Sequence, residues 1–149
     1  MRRFRFRLAP LLELRDYKER EAEAELARKS GAVALLEAGL KENAGLSLEA
    51  AKARFRRGAR AEDCIAAERY AWRLVAERDR LMKALAAAEF ERDQARAAYI
   101  EASKEKETLE KLKERAEATY YKAAGLEEVK ILDDLGAIMA ARRSRAREG

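Results

Sequence analysis

The chain has 149 residues, of which 41% are charged, and its formal net charge is +5. It contains one proline, one cysteine and no histidine, so the commonest general base is missing and no internal disulfide can form. The abundance of Ala, Glu, Lys, Leu and Arg is typical of long helices and coiled coils, and too few large apolar residues remain to build a thick globular core.

The first predicted helix begins at Pro10, which suits a first helical turn because its missing N–H needs no partner there. From Leu12 to Leu40, nine positions follow in steps of three and four and six of them are apolar, as on one face of a helix. Asn43–Ser47 is a candidate break, with the serine capping a new start. We expect this helix to cover about residues 10–57.

The clearest break in the chain follows this helix. Gly58 suits the left-handed conformation found just beyond a helix end, and Asp63 suits the N-cap of the next helix. The sequence therefore predicts a turn at about residues 58–62.

The second predicted helix covers about residues 63–124, a segment without proline or glycine. From Leu74 to Ala123, fifteen positions follow strict 4-3 spacing and eleven of them are apolar, the pattern of a coiled-coil seam. Gly125 is expected to end it, before a short amphipathic helix at about 126–142.

Two helices with matching seams and a short turn favour an antiparallel hairpin. The alternative is one continuous helix that dimerises in parallel. We predict an all-α protein, a long two-helix antiparallel coiled-coil hairpin with a short C-terminal helical extension, which forms a single coiled-coil domain over residues 1–149.

Arginines cluster at both ends of the chain, and an antiparallel hairpin would bring the two groups together. Cations are unfavourable near a helix N-terminus, so the clustering indicates either an acidic protein or polyanion as partner, or a solvated basic end. Phe4 and Phe6 alternate with the first group and are expected to fold back on the hairpin or to insert into a partner. The arginines are Arg2, Arg3, Arg5, Arg7, Arg142, Arg143, Arg145 and Arg147.

An aromatic-rich stripe near the turn is formed by Tyr70, Trp72, Leu74 and Leu81. The stripe is either part of the helical core or an exposed partner-binding surface, since exposed Trp and Tyr are frequent interface anchors. No phosphate-binding loop or catalytic motif is present, so we expect no enzymatic activity, no metal and no cofactor.

No apolar run approaches the length of a signal peptide core or a membrane span. We therefore expect a soluble, cytoplasmic protein, and the lone Cys64 fits a reducing compartment.

Both ends of the sequence resemble the FliJ family of the bacterial flagellar type III export apparatus. The opening has the pattern F-x-F-x-L-x-x-L-L-x-L-R, from Phe4 to Arg15. Towards the other end, Leu109–Arg115 (LEKLKER) is followed by Leu132–Leu135 (LDDL) and then by the basic terminus.

This resemblance implies a non-enzymatic antiparallel coiled coil, shaped like the central stalk of rotary ATPases. Such a protein engages the hexameric export ATPase and promotes its assembly and activity, links it to the membrane export gate, and handles export chaperones. It would lie in the cytoplasm, or peripherally at the inner face of the cytoplasmic membrane through its partners alone.

The resemblance also assigns roles to the candidate residues. The arginine-rich ends with Phe4 and Phe6 would meet the ATPase ring. The stripe near the turn would meet the gate, because Tyr70 and Leu74 match the aromatic and the leucine that open the family's gate-binding pattern. Glu77 departs from that pattern, in which a small residue is favoured at this place.

Two other classes of protein stay open on the sequence alone. A pI near 9.4 permits a basic helical protein that binds nucleic acid by neutralising phosphates, although the net charge is low for a long helical chain and no nucleic acid is expected as a partner. A scaffold coiled coil is the second class, because its sequence would show the same 4-3 periodicity as this chain.

Overall fold

The computed structural model describes residues 3–54 and 56–147. Two helices account for nearly all of this part of the chain, α1 (Ala9–Arg54) and α2 (Ala61–Arg147), and no strand occurs in it. The prediction of an all-α helical hairpin is confirmed. Neither helix holds, within the described residues, a stretch long and apolar enough to cross a membrane.

Helix α1 begins with the predicted proline in its first turn. The carbonyl of Leu8 accepts a hydrogen bond from the N–H of Leu12 at 3.0 Å, so Leu8 occupies the position before the helix. The helix continues through Asn43–Ser47, and the break considered there is absent. A glycine inside a helix costs only about 1 kcal/mol, which packing against α2 outweighs.

The last described residue of α1 is Arg54, and Arg56 is no longer helical, so the turn begins earlier than predicted. Gly58 has a φ of 83°, the left-handed conformation expected of it. Helix α2 then starts at Ala61, so the prediction that Asp63 is the N-cap was wrong. Its carboxylate instead accepts a hydrogen bond from the Arg60 N–H at 3.4 Å, as the third residue of a helix does in a capping box.

The largest difference from the prediction lies at Gly125. The structure has no break there and no separate short helix, because α2 continues to Arg147. The residues on either side of the glycine are mostly strong helix formers, and their propensity exceeds the cost of one glycine.

The chain divides into two compact units. One unit, Tyr17–Ser103, contains most of α1, the turn and the first half of α2. Its two helical segments are antiparallel. Lys29 of α1 pairs with Glu91 of α2 at 2.6 Å, whereas Arg54, the last described residue of α1, pairs with Glu68 near the start of α2. The prediction of a single coiled-coil domain stays a prediction.

The seam of this unit is thin, and few of its residues are buried. Val33 and Leu74 are the buried apolar side chains, with exposed fractions of 4% and 8%. Asn43 is also buried, and its amide nitrogen donates a hydrogen bond to the carbonyl of Leu74 at 3.1 Å. Polar atoms buried in a helical seam are satisfied in one register only, so this contact fixes the alignment of the two helices.

Replacing Asn43 by leucine is expected to stabilise the hairpin and to loosen its register. Burial of the leucine should raise the free energy of unfolding by about 1 kcal/mol or more, while spin labels at Glu37 and Lys83 should show a broader distance distribution. The control is Gln94→Leu, at an exposed position on α2, which should change neither quantity. An unchanged distribution in Asn43→Leu would show that the apolar seam alone sets the register.

The other unit comprises the described residues of Met1–Asp16 and Lys104–Gly149. Here Arg15 pairs with Glu105, and Lys106 pairs with Asp16 at 2.8 Å. Further along α2, the ring of Tyr120 lies 5.6 Å from that of Phe4. Phe4, which precedes α1, thus lies beside a residue farther along α2 than the partners of Arg15 and Asp16, so the chain segments of this unit are antiparallel as well.

Candidate partner-binding surfaces

The segment before α1 has no regular secondary structure from Arg3 to Phe6 and then forms a turn, in which the Ala9 N–H donates a hydrogen bond to the Phe6 carbonyl at 3.2 Å. The ring of Phe4 lies 5.6 Å from that of Tyr120 in α2. Phe4 and Phe6 are half-buried, and with Leu112 and Ala116 of α2 they line an open groove of about 560 Å³. Phe4 therefore folds back on the hairpin. The exposed arginines are Arg3, Arg5 and Arg7, and Arg2 lies outside the described residues.

The arginines at the end of α2 do not join this first group. Arg142 follows Tyr120 by 22 residues on the same helix, a separation of roughly 33 Å at about 1.5 Å per residue. The expectation that an antiparallel hairpin brings both groups together was wrong, because α2 continues as one helix to Arg147, far beyond the level of Phe4. The structure has two separate basic surfaces, and the second is formed by the exposed residues Arg142, Arg143, Arg145 and Arg147.

The stripe predicted near the turn is divided between two faces of α2. Leu74 is buried in the seam. Leu81 is half-buried and packs next to Gly39 of α1, where a Cβ atom would lie in ordinary contact with the leucine Cδ atoms, at 3.7 Å. Tyr70 is at the edge of the seam, under the guanidinium of Arg73 at 5.7 Å from the ring centroid. Trp72 precedes Leu74 by two residues, which places it about 200° away around the helix axis. Its side chain is therefore on the opposite face and is 67% exposed.

Glu77, where the sequence departs from the family pattern, is engaged by its neighbour Arg80. The guanidinium donates hydrogen bonds to both carboxylate oxygens, from Nε at 2.8 Å and from Nη2 at 2.5 Å. These hydrogen bonds, with the positive charge of Arg80, hold the pKa of Glu77 below its usual value. The same pairing raises the pKa of Arg80. Glu77 is therefore held in an ion pair with Arg80, at the place where the family pattern favours a small residue.

Trp72 belongs to an apolar stripe on the outer face of α2, which the sequence analysis missed. All of its members are exposed. Successive members are seven, three, seven and eight residues apart in the sequence. Such spacing is a second helical periodicity offset from the seam, and a search for it would have found the stripe. The stripe is formed by Ile65, Trp72, Val75, Met82 and Phe90.

A second unpartnered apolar face lies on α2 beyond Gly125, in the segment 126–147, which we call the tail. All of its residues are exposed. Leu132 and Met139, for example, are 67% and 62% exposed. The face was expected from the sequence, but as part of a separate short helix. Its apolar members are Leu126, Val129, Ile131, Leu132, Leu135, Ile138 and Met139.

Acidic residues and the single cysteine form no metal site in the described part of the chain. Cys64 is exposed in the first turn of α2. The acids pair with neighbouring bases instead: Lys111 lies 2.6 Å from Glu107 and lowers the pKa of that carboxylate through a hydrogen bond and its charge.

Comparison with known proteins agrees with this two-helix architecture. A protein described as a YscO homolog from Chlamydia trachomatis has a similar solved structure, with a TM-score of 0.60 at 17% sequence identity, covering 96% of this chain and 99% of the other. No curated protein matches the sequence. The family model described as Flagellar FliJ protein matches residues 4–145. The chain therefore belongs to the FliJ family of flagellar proteins.

Proposed function

We propose that this chain is a non-enzymatic component of flagellar protein export that binds the export ATPase as a central stalk. In this role it promotes assembly and activity of the ATPase hexamer and links it to the membrane export gate and to export chaperones. Membership in the FliJ family supports the coarser part of the proposal, a component of the flagellar type III export apparatus.

The single observation that carries the ATPase contact is the unpartnered tail of α2. Every described residue from Leu126 onward is exposed, and the helix ends in a cluster of arginines. A bare helix of this kind can enter a ring of subunits, with apolar side chains along its length and cations near its end. Acidic groups on the ring would then steer its approach, as complementary charges do in other associations.

The amino-terminal basic surface is the second proposed ATPase contact. Arg3, Arg5 and Arg7 are exposed, whereas Phe4 packs on Tyr120 and Phe6 is half-buried. The phenylalanines thus hold the segment on α2, and the arginines are the groups that a partner would meet.

For the export gate, we propose contact through Tyr70 and Trp72, whose rings are accessible. Leu74 and Leu81 act from the seam, where they hold α2 against α1 and so position the aromatic residues. Exposed Tyr and Trp are suited to this role because each offers a large rigid apolar surface with one polar group.

The proposal is tested by adding the purified chain to the purified flagellar export ATPase. We expect more hexamer by sedimentation and faster hydrolysis, both saturating at one chain per ring, since a stalk occupies a single central position. The chain alone should hydrolyse no nucleotide. Saturation at one chain per subunit would contradict stalk-like binding. Binding to duplex DNA with no effect on the ATPase would favour the nucleic-acid class instead.

A further inference from the structure

The tail of α2 carries a short coiled-coil seam of its own. Five positions follow 4-3-4-3 spacing on one face, and the three in the middle are large and apolar. Further apolar side chains flank this seam on both sides, so the face is about half the helix wide. The five positions are Glu128, Leu132, Leu135, Met139 and Arg142.

Nothing in the described residues covers this face, since the whole tail is exposed. An apolar stripe with heptad spacing is suited to a second helix, because the period keeps it in register with a partner over successive turns. The kind of helix that fits is indicated by the charges at the two ends of the seam.

Glu128 and Arg142 lie two heptads apart, at opposite ends of the same seam and with opposite charges. If two copies of the tail paired in parallel, Glu128 would face Glu128 and Arg142 would face Arg142, and both like-charge contacts would oppose association. If they paired antiparallel, Glu128 of each copy would lie within one helical turn of Arg142 of the other. The seam is therefore complementary to itself in the antiparallel orientation alone.

The charged residues outside the seam also change from acidic to basic along the tail. The first part of the tail is acidic, with Glu127, Asp133 and Asp134, while its last part is basic, with Arg143 and Arg145. Antiparallel pairing places the acidic part of one copy against the basic part of the other. A chain built to bind only an acidic partner would have no need of the acidic half.

We propose that the tail is a self-association site, at which two copies of this chain pair antiparallel through Leu132, Leu135 and Met139 with Glu128 opposite Arg142. The pair is short, about two heptads, so it is weak and dissociates on dilution. It covers the apolar face when no other partner does. This inference goes beyond the proposed function and does not depend on it, because it is measured with the chain alone.

The test is sedimentation of the full chain with reductant present, from about 1 µM to about 1 mM, the range over which weak pairs dissociate. The wild-type chain should shift from monomer to dimer with rising concentration. Glu128→Arg and Arg142→Glu should each raise the dissociation constant by at least tenfold, because each places like charges together. The double variant with both changes should return to near the wild-type value, since the antiparallel contacts are restored.

The control is Glu23→Arg, which makes the same change of net charge as Glu128→Arg at an exposed position on α1 and should leave the association unchanged. Circular dichroism will establish that all variants keep their helix content. A wild-type chain that stays monomeric throughout, or a double variant as weak as the single ones, overturns the proposal. So does a monomeric chain that binds vesicles of anionic lipid through this face, which would assign the tail to a membrane surface.

Discussion

Reversing three arginines of the tail, by Arg143→Glu, Arg145→Glu and Arg147→Glu, is expected to abolish stimulation of the flagellar export ATPase. The three side chains are exposed on an unpartnered helix end, so the change should not disturb the hairpin. Attraction to acidic groups of the ring would become repulsion, and apparent affinity should fall at least tenfold. Raising the salt concentration should weaken wild-type binding in the same direction, because exposed charges are screened beyond about 8 Å at physiological ionic strength.

Two matched variants test whether the effect is specific to the tail, since each also reverses three arginines but at another place in the chain. Reversal of Arg3, Arg5 and Arg7 tests the amino-terminal surface, and we expect a smaller loss because this segment lies against α2, whereas the tail is exposed throughout. Reversal of Arg56, Arg57 and Arg60 in the turn is the control for net charge. Full stimulation by the tail variant would mean that the arginines there are merely solvated. Equal loss in all three would indicate a nonspecific charge effect.

The second large effect is a contrast between two neighbouring residues, Leu74 and Trp72. Leu74→Ala should lower the free energy of unfolding by about 2 to 3 kcal/mol, because it empties a buried position in a thin seam. Trp72→Ala should change it by less than about 0.5 kcal/mol, since the ring is on the outer face. The same Trp72→Ala variant should weaken binding to the export gate by about 1 to 2 kcal/mol if the ring is an anchor.

Thermal melting and gate binding, measured on the same two variants, decide between the roles. A large loss of stability in Trp72→Ala would place the tryptophan in the core, against the structure. Tyr70→Ala is a useful intermediate, because its ring lies at the edge of the seam and under Arg73. Wild-type gate affinity in both Tyr70→Ala and Trp72→Ala would remove these residues from the proposed gate contact.

The helical hairpin was predictable because its determinants are local and periodic. The 4-3 spacing identified Leu74 and Leu81 as seam residues, and Gly58 was recognised because a left-handed turn position favours glycine. The alternation of Phe4 and Phe6 with arginines indicated a choice between folding back and insertion. Only the contact of Phe4 with Tyr120 decided it, since that contact joins residues far apart in sequence.

The end of α2 was not predictable in the same way. A glycine such as Gly125 is found both at helix ends and in helix interiors. Its cost inside a helix is only about 1 kcal/mol relative to alanine, so the flanking residues decide whether the helix continues. The antiparallel hairpin alone predicted that the arginines of the two termini lie together, and the continuation of α2 to Arg147 separates them. The outer stripe around Trp72 was not predicted for another reason: the 4-3 spacing describes the seam only, and the stripe has a second apolar periodicity on the opposite face of the same helix.

The exposed thiol of Cys64 has a consequence for handling the purified protein. It is the one cysteine of the chain and lies in the first turn of α2, open to solvent. In air, two chains can join there by oxidation, and the covalent product would imitate the weak pair expected of the tail. The same thiol accepts a maleimide dye without any engineered background, so a single fluorophore can mark the turn and follow its position in an assembled export complex.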